Sequence, residues 1–221
     1  ISTPVIDPST KTMYFVTKTY ENQVQIFRLH AIDITTGNEK FGGPVQISAV
    51  VNGTGDGNDG AGHVPFQASQ ENQRAAVTLA NGVVYLAFAS HEDHKPYHGW
   101  VLGYSASTLQ QLYVFNDTKN GGSAGIWQSG QGLVVDANNN VYLMVGNGTT
   151  DVQSGGSGYG EAFIKLSSAL VPLDYFIPAN FDQLNSNDED VASGGPVAIA
   201  GTNFIAGEGK PVSYTHLRAH E

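Results

Sequence analysis

The residues best suited to chemistry lie close together in one short segment, HEDHKPYHGW, at positions 91–100. Imidazole and carboxylate groups are ligands for zinc, manganese or iron, so His91, Asp93 and His94 are a candidate metal site. Their spacing matches no established metal signature, and Pro96 disfavours a helix that would align the side chains. A solvated, hydrogen-bonded loop and a contact with a polar ligand or partner remain the alternatives.

A second group of side chains is suited to binding a polar ligand. His98 and Trp100 border a predicted strand, while Trp127 and Gln128 directly precede another, where an aromatic ring and an amide can stack on and hydrogen-bond a flat molecule. Glycines flank Asn147, which would let the backbone approach a ligand closely. We predict these five residues to bind the ligand. Alternatively, Trp127 fills the seam between two sheets and the glycines serve a bulge.

Acidic segments supply the remaining candidates. The loop GTGDGNDGAG (53–62) is similar to calcium loops but lacks the fifth-position ligand and the closing Glu of an EF-hand. DANNN (136–140) has the same spacing but is typical of a hairpin turn. Asp188, Glu189 and Asp190 form a dense cluster that could do acid–base or metal work, although a structural loop is the favoured interpretation. No catalytic residue is assigned.

The elements that must position these side chains repeat along the chain. An apolar strand enters a tight polar turn and returns as a strand rich in aromatic and β-branched residues, with copies at 3–16, 75–88, 132–145 and 195–207. The copies recur at a spacing of roughly 60 to 70 residues, which indicates a repeat architecture, because one unit cannot bury its apolar face alone.

Each full copy continues into a second hairpin, which gives four strands per unit. A radially repeated four-stranded meander is a β-propeller blade. We therefore predict an all-β fold, an incomplete propeller arc of about three and a half antiparallel blades with almost no helix, within residues 1–210. The predicted blades cover about 1–47, 73–116, 129–178 and 194–210. The remaining blades of the same propeller are an expected partner.

Strand direction predicts that the long loops share one face of the arc. These loops are 48–73, 91–98, 117–128, 149–160 and 180–194. Binding residues concentrate on loops that a rigid scaffold carries. The histidine and tryptophan candidates lie in or beside these loops, so this face is the predicted functional surface.

Composition limits the function classes. The 221 residues carry a formal net charge of −10, which argues against nucleic acid because phosphates would be repelled. Cysteine is absent, so a thiol nucleophile is excluded. No run of 18 or more apolar residues occurs, which predicts no membrane span. Ile1 lies inside a strand pattern, so we expect the chain to be part of a longer protein.

The segment AIDITTGNEKF (31–41) resembles the blade motif of pyrroloquinoline-quinone (PQQ) propellers. The matching residues are Ala31, Asp33, Thr36 and Gly37, whereas Asn38 and Phe41 replace the usual Lys and Trp. The acidic run 187–197 also resembles a loop that leads into a blade in quinoproteins. These matches are typical of the repeat family and are not specific for cofactor binding.

Two functions follow from this resemblance. The first is a periplasmic or secreted PQQ-like propeller that binds a small polar ligand or a protein as a scaffold. The alternative is a PQQ-dependent quinoprotein oxidoreductase of the alcohol or sugar dehydrogenase type. For such enzymes the resemblance implies PQQ stacked in the channel and a calcium ion held by Glu and Asn beside a catalytic Asp. It also implies a vicinal Cys pair, which this sequence lacks. A metal-dependent hydrolase or lyase, based on residues 91–98 alone, is a weaker third hypothesis.

The last eleven residues, 211–221, break the repeat. A third strand of the fourth blade is due, but PVSYTHLRAHE has no strand period. The segment resembles a string found at the ends of unrelated fragmentary sequences. We therefore predict a non-native tail and leave its histidines out of any site.

Overall fold

The computed structural model describes residues 2–202, 204–210 and 215–218, and its first blade is a four-stranded antiparallel sheet. The strands pair in chain order: β1 (Val5–Asp7), β2 (Thr12–Glu21), β3 (Val24–Asp33) and β4 (Val45–Gln46). The fourth strand has only two residues. Gly42 has a φ of 77° and Pro44 has no N–H to donate, so regular pairing begins only after them.

The predicted loop 48–73 contains strands of its own. It folds into a hairpin, β5 (Val50–Asn52) and β6 (His63–Pro65), followed by β7 (Glu71–Asn72). In the hairpin, Val51 faces the buried Val64 across the pair. Short apolar runs separated by a glycine-rich turn therefore formed a hairpin where the sequence suggested a loop.

The second and third blades repeat the four-stranded plan. The second has β8 (Thr78–Ala80), β9 (Val83–Ser90), β10 (Trp100–Ser105) and β11 (Gln111–Asn116), and β7 also pairs with β9. The third has β12 (Val134–Val135), β13 (Val141–Met144), β14 (Phe163–Leu166) and β15 (Pro172–Phe176). All pairs are antiparallel, which confirms the all-β prediction and the incomplete arc of propeller blades.

The fourth sheet has three strands in the described part of the chain: β16 (Val197–Ala198), β17 (Phe204–Gly207) and β18 (Thr215–Arg218). β18 lies in the segment 211–221, which was predicted not to continue the blade. Its backbone does form a strand of the fourth sheet, so that prediction is wrong for 215–218. β18 pairs with β17 on the side opposite to β16, so β17 is the central strand of this sheet. The rest of the predicted tail, 211–214 and 219–221, lies outside the described residues, and its non-native origin stays a prediction.

Helical structure is sparse and confined to the loops. It consists of α1 (Phe181–Asn187) and short 3₁₀ turns at Gln128–Gly130, Val152–Ser154 and Val191–Ser193. No helix in the described residues is long and apolar enough to cross a membrane.

The core lies between the blades. Every residue of β9 is buried, because the second blade is covered on both faces. On one face Leu86 and Phe88 pack with Leu29 of the first blade. On the other, Tyr85 and Ala87 pack with Leu143 of the third blade. Each fully buried large apolar side chain contributes about 1.5 to 3 kcal/mol of transfer free energy, so adjacent blades stabilise each other.

Aspartates close the tight turns opposite the long loops. Asp7 Oδ1 accepts the Ser9 N–H at 2.9 Å, and Asp33 Oδ1 accepts the Thr35 N–H at 2.8 Å. Asp136 bonds the backbone of its own turn in the same way, so 136–140 is a hairpin turn. These local bonds fix the turns without a metal.

Hydrogen bonds join the long loops into one surface, as the sequence predicted. The Gly55 N–H donates to Lys119 O at 2.9 Å, linking the loop before the second blade to the loop after it. The Ala124 N–H donates to Asn147 O at 2.6 Å and links that loop to the third blade. A rigid loop layer therefore covers one face of the arc.

Candidate functional site

A cleft of about 620 Å³ opens in this loop layer where the second, third and fourth blades meet. Its volume suits a small organic ligand. The lining residues that carry the argument are Arg74, Trp127, Asn147, Asp188, Asp190 and Lys210. The cleft thus combines aromatic, amide, carboxylate and cationic side chains.

Trp127 forms the aromatic wall of the cleft. The Arg74 guanidinium lies 5.5 Å from the ring centroid, within the range of a cation–π contact. Two glycines leave room for the indole: a Cβ on Gly125 or on Gly146 would lie 2.9 Å from Trp127 Nε1. The ring position therefore depends on the absence of a side chain at both glycines.

Gln128 is buried behind Trp127 and holds its segment in place. Its Oε1 accepts the Met144 N–H at 3.2 Å, and its Nε2 donates to Gln131 O and Gly132 O at 3.3 and 3.1 Å. The side chain is fully buried, and all these partners are backbone groups. Gln128, predicted to bind the ligand, therefore positions the tryptophan in this structure.

Asn147 lies at the centre of the cleft, clamped by two aspartates. Its backbone N–H donates to Asp190 Oδ1 at 2.9 Å, and its Nδ2 donates to Asp188 Oδ1 at 2.9 Å. These bonds turn the amide so that its Oδ1 is a buried acceptor with no partner in the described structure. A buried acceptor without a donor is costly, so Oδ1 is suited to accept from a ligand.

The two aspartates come from the segment after α1, and one lysine joins them. Asp188 caps the helix with a φ of 57°, and Asp190 opens the following 3₁₀ turn. Lys210 Nζ contacts Asp188 Oδ2 at 2.9 Å and Asp190 Oδ2 at 2.7 Å. Partial burial lowers the pKa of Lys210, but the bonds to the two aspartates outweigh this and raise it above its usual value.

Glu161 is buried behind this ion-paired group. Its Oε2 accepts the Val191 N–H at 3.0 Å, while Oε1 has no partner in the described residues. Burial is the largest cause that raises the pKa of Glu161, to about 8, and repulsion from Asp190 adds to it. The site thus holds a carboxyl group that takes up a proton easily.

The structure places His98 and Trp100 in the interior, away from the cleft. His98 Nδ1 bonds Thr118 Oγ1 at 2.9 Å and Nε2 bonds Asp56 O at 2.8 Å, so both ring nitrogens have protein partners. Burial lowers the pKa of His98. Trp100 is fully buried, with its ring 5.8 Å from that of Phe66. Trp100 Nε1 has no hydrogen-bond partner in the described residues, but Trp100 and His98 are buried and do not line the cleft.

The candidate metal residues are spread over a loop. The His91 and His94 rings lie 6.2 Å apart at the edge of the layer. Asp93 lines the cleft, and its Oδ1 accepts from Ser90 Oγ at 3.2 Å and Tyr97 OH at 3.1 Å. In the described part of the chain, no group of three or more His, Asp or Glu side chains is arranged to hold a metal ion.

The Asp-rich loop 53–62 is a hydrogen-bonded turn. Asp59 Oδ1 accepts the N–H groups of Ala61 and His63 at 2.7 and 3.1 Å, and its Oδ2 contacts His63 Nδ1 at 2.8 Å. The Asp59 carboxylate, one of the two in this loop, is therefore already used by the loop itself.

Sequence reasoning missed Arg74, Glu161 and Lys210. Arg74 lies one residue beyond the predicted loop 48–73, and Glu161 lies one residue beyond the predicted loop 149–160, so slightly wider loop limits would have included both. The sequence does not indicate that Lys210 belongs to the cleft. The bonds that bring Lys210 to Asp188 and Asp190 span about twenty residues and depend on the fourth sheet.

Comparison with known proteins finds similarity at the level of structure. No protein-family model and no curated protein matches the sequence. The structure is similar to quinohemoprotein alcohol dehydrogenase ADHIIG from Pseudomonas putida HK5, with 14% identity and a TM-score of 0.61 over 94% of this chain and 31% of that chain. It is also similar to the quinohemoprotein alcohol dehydrogenase from Comamonas testosteroni, with 17% identity and a TM-score of 0.51 over 98% and 41%.

These matches establish the propeller fold of PQQ enzymes. The chain spans less than half the length of either dehydrogenase. At such low identity, the similarity extends to the fold and leaves activity to be argued from the site.

Proposed function

We propose that this chain is part of an extracytoplasmic PQQ-like propeller that acts as a binding scaffold, and that the Trp127 cleft holds a flat, polar ligand. The observation that carries the proposal is the pairing of Trp127 with the unpartnered Asn147 Oδ1 in one cleft. The ring supplies a stacking surface, and the amide oxygen accepts a hydrogen bond from a ligand group.

The charges of the cleft favour a ligand that carries acidic groups. Arg74 lies over the Trp127 ring, and Lys95 also lines the cleft. In contrast to Lys210, Lys95 has no ion pair within the described residues. A guanidinium or ammonium group beside an aromatic wall is suited to a planar carboxylate. PQQ, a planar molecule with carboxylates, belongs to this chemical class.

The residues present do not fit the calcium ion that the family resemblance implies. The acidic residues that line the cleft are Asp93, Asp188 and Asp190. Lys210 already contacts an oxygen of each of the last two, and Asp93 Oδ1 accepts from Ser90 and Tyr97. A calcium ion needs six to eight oxygen ligands, mostly uncompensated carboxylates and carbonyls. The proposed ligand is therefore bound here by stacking, hydrogen bonds and cationic side chains.

An oxidoreductase of the quinoprotein type is the second candidate. One observation favours it: Asp188 and Asp190 line the same cleft as Trp127, and carboxylates beside a bound ligand can accept protons. If the cleft is catalytic, the protein supplied with PQQ should reduce an artificial electron acceptor in the presence of an alcohol. Ligand binding without such turnover would support the scaffold.

Tryptophan fluorescence tests the binding proposal directly. The chain has two tryptophans, and only Trp127 lines the cleft. Titration with PQQ, or with simple sugars as neutral probes, should quench emission from the wild type and from Trp100→Phe. Trp127→Phe should lose the quench. Trp127→Ala should weaken binding by about 1 to 3 kcal/mol, the usual effect of removing a buried aromatic anchor.

His98→Ala serves as a control at a predicted ligand residue that is buried elsewhere. Because both His98 nitrogens bond protein groups, this variant should lose stability more than affinity. Equal quenching in Trp127→Ala and wild type would place the ligand site outside the cleft. No response to any probe would favour a protein-binding surface.

A further inference from the structure

The cleft contains its own cation, and this feature separates it from a metal-binding carboxylate site. Lys210 donates from Nζ to both Asp188 Oδ2 and the Asp188 carbonyl, at 2.9 and 2.8 Å, and contacts Asp190 Oδ2 at 2.7 Å. Asp190 is 8% exposed, so its charge is shielded little by water. An ammonium group in contact with a buried carboxylate contributes more than one at the surface.

We propose that Lys210 is a built-in cation that takes the position of a divalent metal ion in this cleft, so that the cleft neither requires nor binds calcium. The ammonium group neutralises one of the two aspartate charges and occupies the space between their oxygens. A divalent cation would have to displace it. This inference concerns the metal ion alone and does not depend on the identity of the organic ligand.

Other oxygens of this site show which ligands a metal ion would find if the Lys210 ammonium group were absent. Asn147 Oδ1 and Glu161 Oε1 are both buried and have no partner in the described residues. Glu161 is fully buried, and the charges of Asp188, Asp190 and Lys210 act on its carboxyl group. Without the ammonium group, the Asp188 and Asp190 oxygens that it contacts would lose their counter-charge, with the unpartnered Asn147 Oδ1 and Glu161 Oε1 as further oxygens. Hard cations such as Ca²⁺ prefer these ligands.

Removing the ammonium group should therefore create a metal site. Lys210→Met keeps most of the side-chain length and removes the charge. We expect this variant to bind Tb³⁺, a luminescent substitute for Ca²⁺, with emission excited through Trp127, since Trp127 and Asp190 both lie against Gly146. Ca²⁺ should displace the Tb³⁺ and raise the melting temperature of the variant. The wild type should bind at least tenfold more weakly.

Lys95→Met is the matched control, because Lys95 lines the same cleft and has no ion pair within the described residues. This variant should bind Tb³⁺ as weakly as the wild type does. Adding Asp190→Asn to Lys210→Met should abolish the new Tb³⁺ signal. Near-ultraviolet circular dichroism establishes that each variant is folded.

Two results would overturn the proposal. One is a folded Lys210→Met protein with no gain in Tb³⁺ or Ca²⁺ binding. The other is a wild type that binds one Ca²⁺ per chain and loses it in Asp190→Asn, which can be measured by calorimetry even if Lys210→Met does not fold. Both experiments omit the organic ligand, so failure of the Trp127 proposal leaves their outcome unaffected.

Discussion

The backbone around Trp127 adopts conformations that are unfavourable for its residues. Ser123 and Ala124 have φ values of 60° and 62°, and Gln128 and Ser129 both have a φ of 42°. Left-handed backbone at a non-glycine residue costs on the order of 1 kcal/mol or more. The three hydrogen bonds of the buried Gln128 side chain offset part of this cost. Such strain is retained where the surrounding structure fixes a side chain, which is consistent with the proposed role of Trp127.

At this scale the sequence identified some cleft residues and not others. Trp127 and Asn147 were found because one precedes a first strand and the other has flanking glycines. Trp100 was expected near a ligand because it starts a strand beside the polar loop. Its strand is covered on both sides by neighbouring blades, and nothing in the local pattern distinguishes such a strand from one with an open face.

Glu161 gives the cleft a measurable pH dependence. Its pKa is about 8 in the folded protein, against 4.5 as the reference for an unfolded chain. Between about pH 4.5 and 8, the folded state therefore holds a proton on Glu161 that the unfolded state has lost. The contribution of Glu161 to stability falls as pH rises through this range and is constant above it.

Glu161→Gln should remove this dependence, because a neutral amide can still accept from the Val191 N–H. Relative to wild type, the variant should gain on the order of a few kcal/mol in unfolding free energy between pH 5 and 8.5. Urea denaturation across this range measures the gain. The same substitution at the exposed Glu208 is the control and should follow the wild type. Parallel curves for Glu161→Gln and wild type would contradict the assignment.

Equivalent tyrosines link the first blade to the second and the second blade to the third. In the second strand of the first blade, Tyr14 donates its hydroxyl to Ala106 O at 2.7 Å in the second blade. At the same position in the second blade, Tyr85 donates to Ser168 O at 2.8 Å in the third. In the third blade, Tyr142 donates instead to Asp136 of its own turn at 2.9 Å. The repeated residue therefore serves an inter-blade contact at two of its three positions.

Removing these hydroxyls should weaken the contacts between blades. Tyr14→Phe and Tyr85→Phe should each reduce the unfolding free energy by about 0.5 to 1.5 kcal/mol, the net value of one hydrogen bond. Their effects should add, because the two bonds join different pairs of blades. Chemical denaturation of the single and double variants measures both. An unchanged stability in either single variant would show that water replaces the lost bond without cost.

The elements themselves were largely predictable from the sequence. Period-2 strands and repeated polar turns predicted the order of the strands in the first three blades and the side on which the long loops lie. The hairpin β5–β6 was not predicted, because its glycine-rich turn was interpreted as a loop and its strands have three residues each. Pairing over such short strands depends on contacts with the loop 117–122, such as that between Gly55 and Lys119.

At the scale of the whole molecule, the arc has two ends with exposed apolar side chains. On the first blade these are Ile6, Tyr20, Val24 and Ile34, and on the fourth sheet they are Val197 and Ile199. Between the ends, neighbouring blades cover β9, all eight residues of which are buried, whereas β15 is exposed. The end surfaces are therefore where an additional blade or a second chain would pack.

We expect the 221-residue chain, expressed alone, to self-associate through these ends. Unpaired strand edges and apolar end faces both favour pairing with another copy, since a propeller normally hides them by closing the ring. Analytical ultracentrifugation from micromolar to high concentration should show a rising average mass. Val197→Lys together with Val24→Lys should lower it, because charged edge residues oppose association, whereas the same change at Leu173, which is exposed on β15 between the ends, should not. A monomer that unfolds cooperatively at every concentration would contradict this, and would mean that contacts within the arc suffice for its stability.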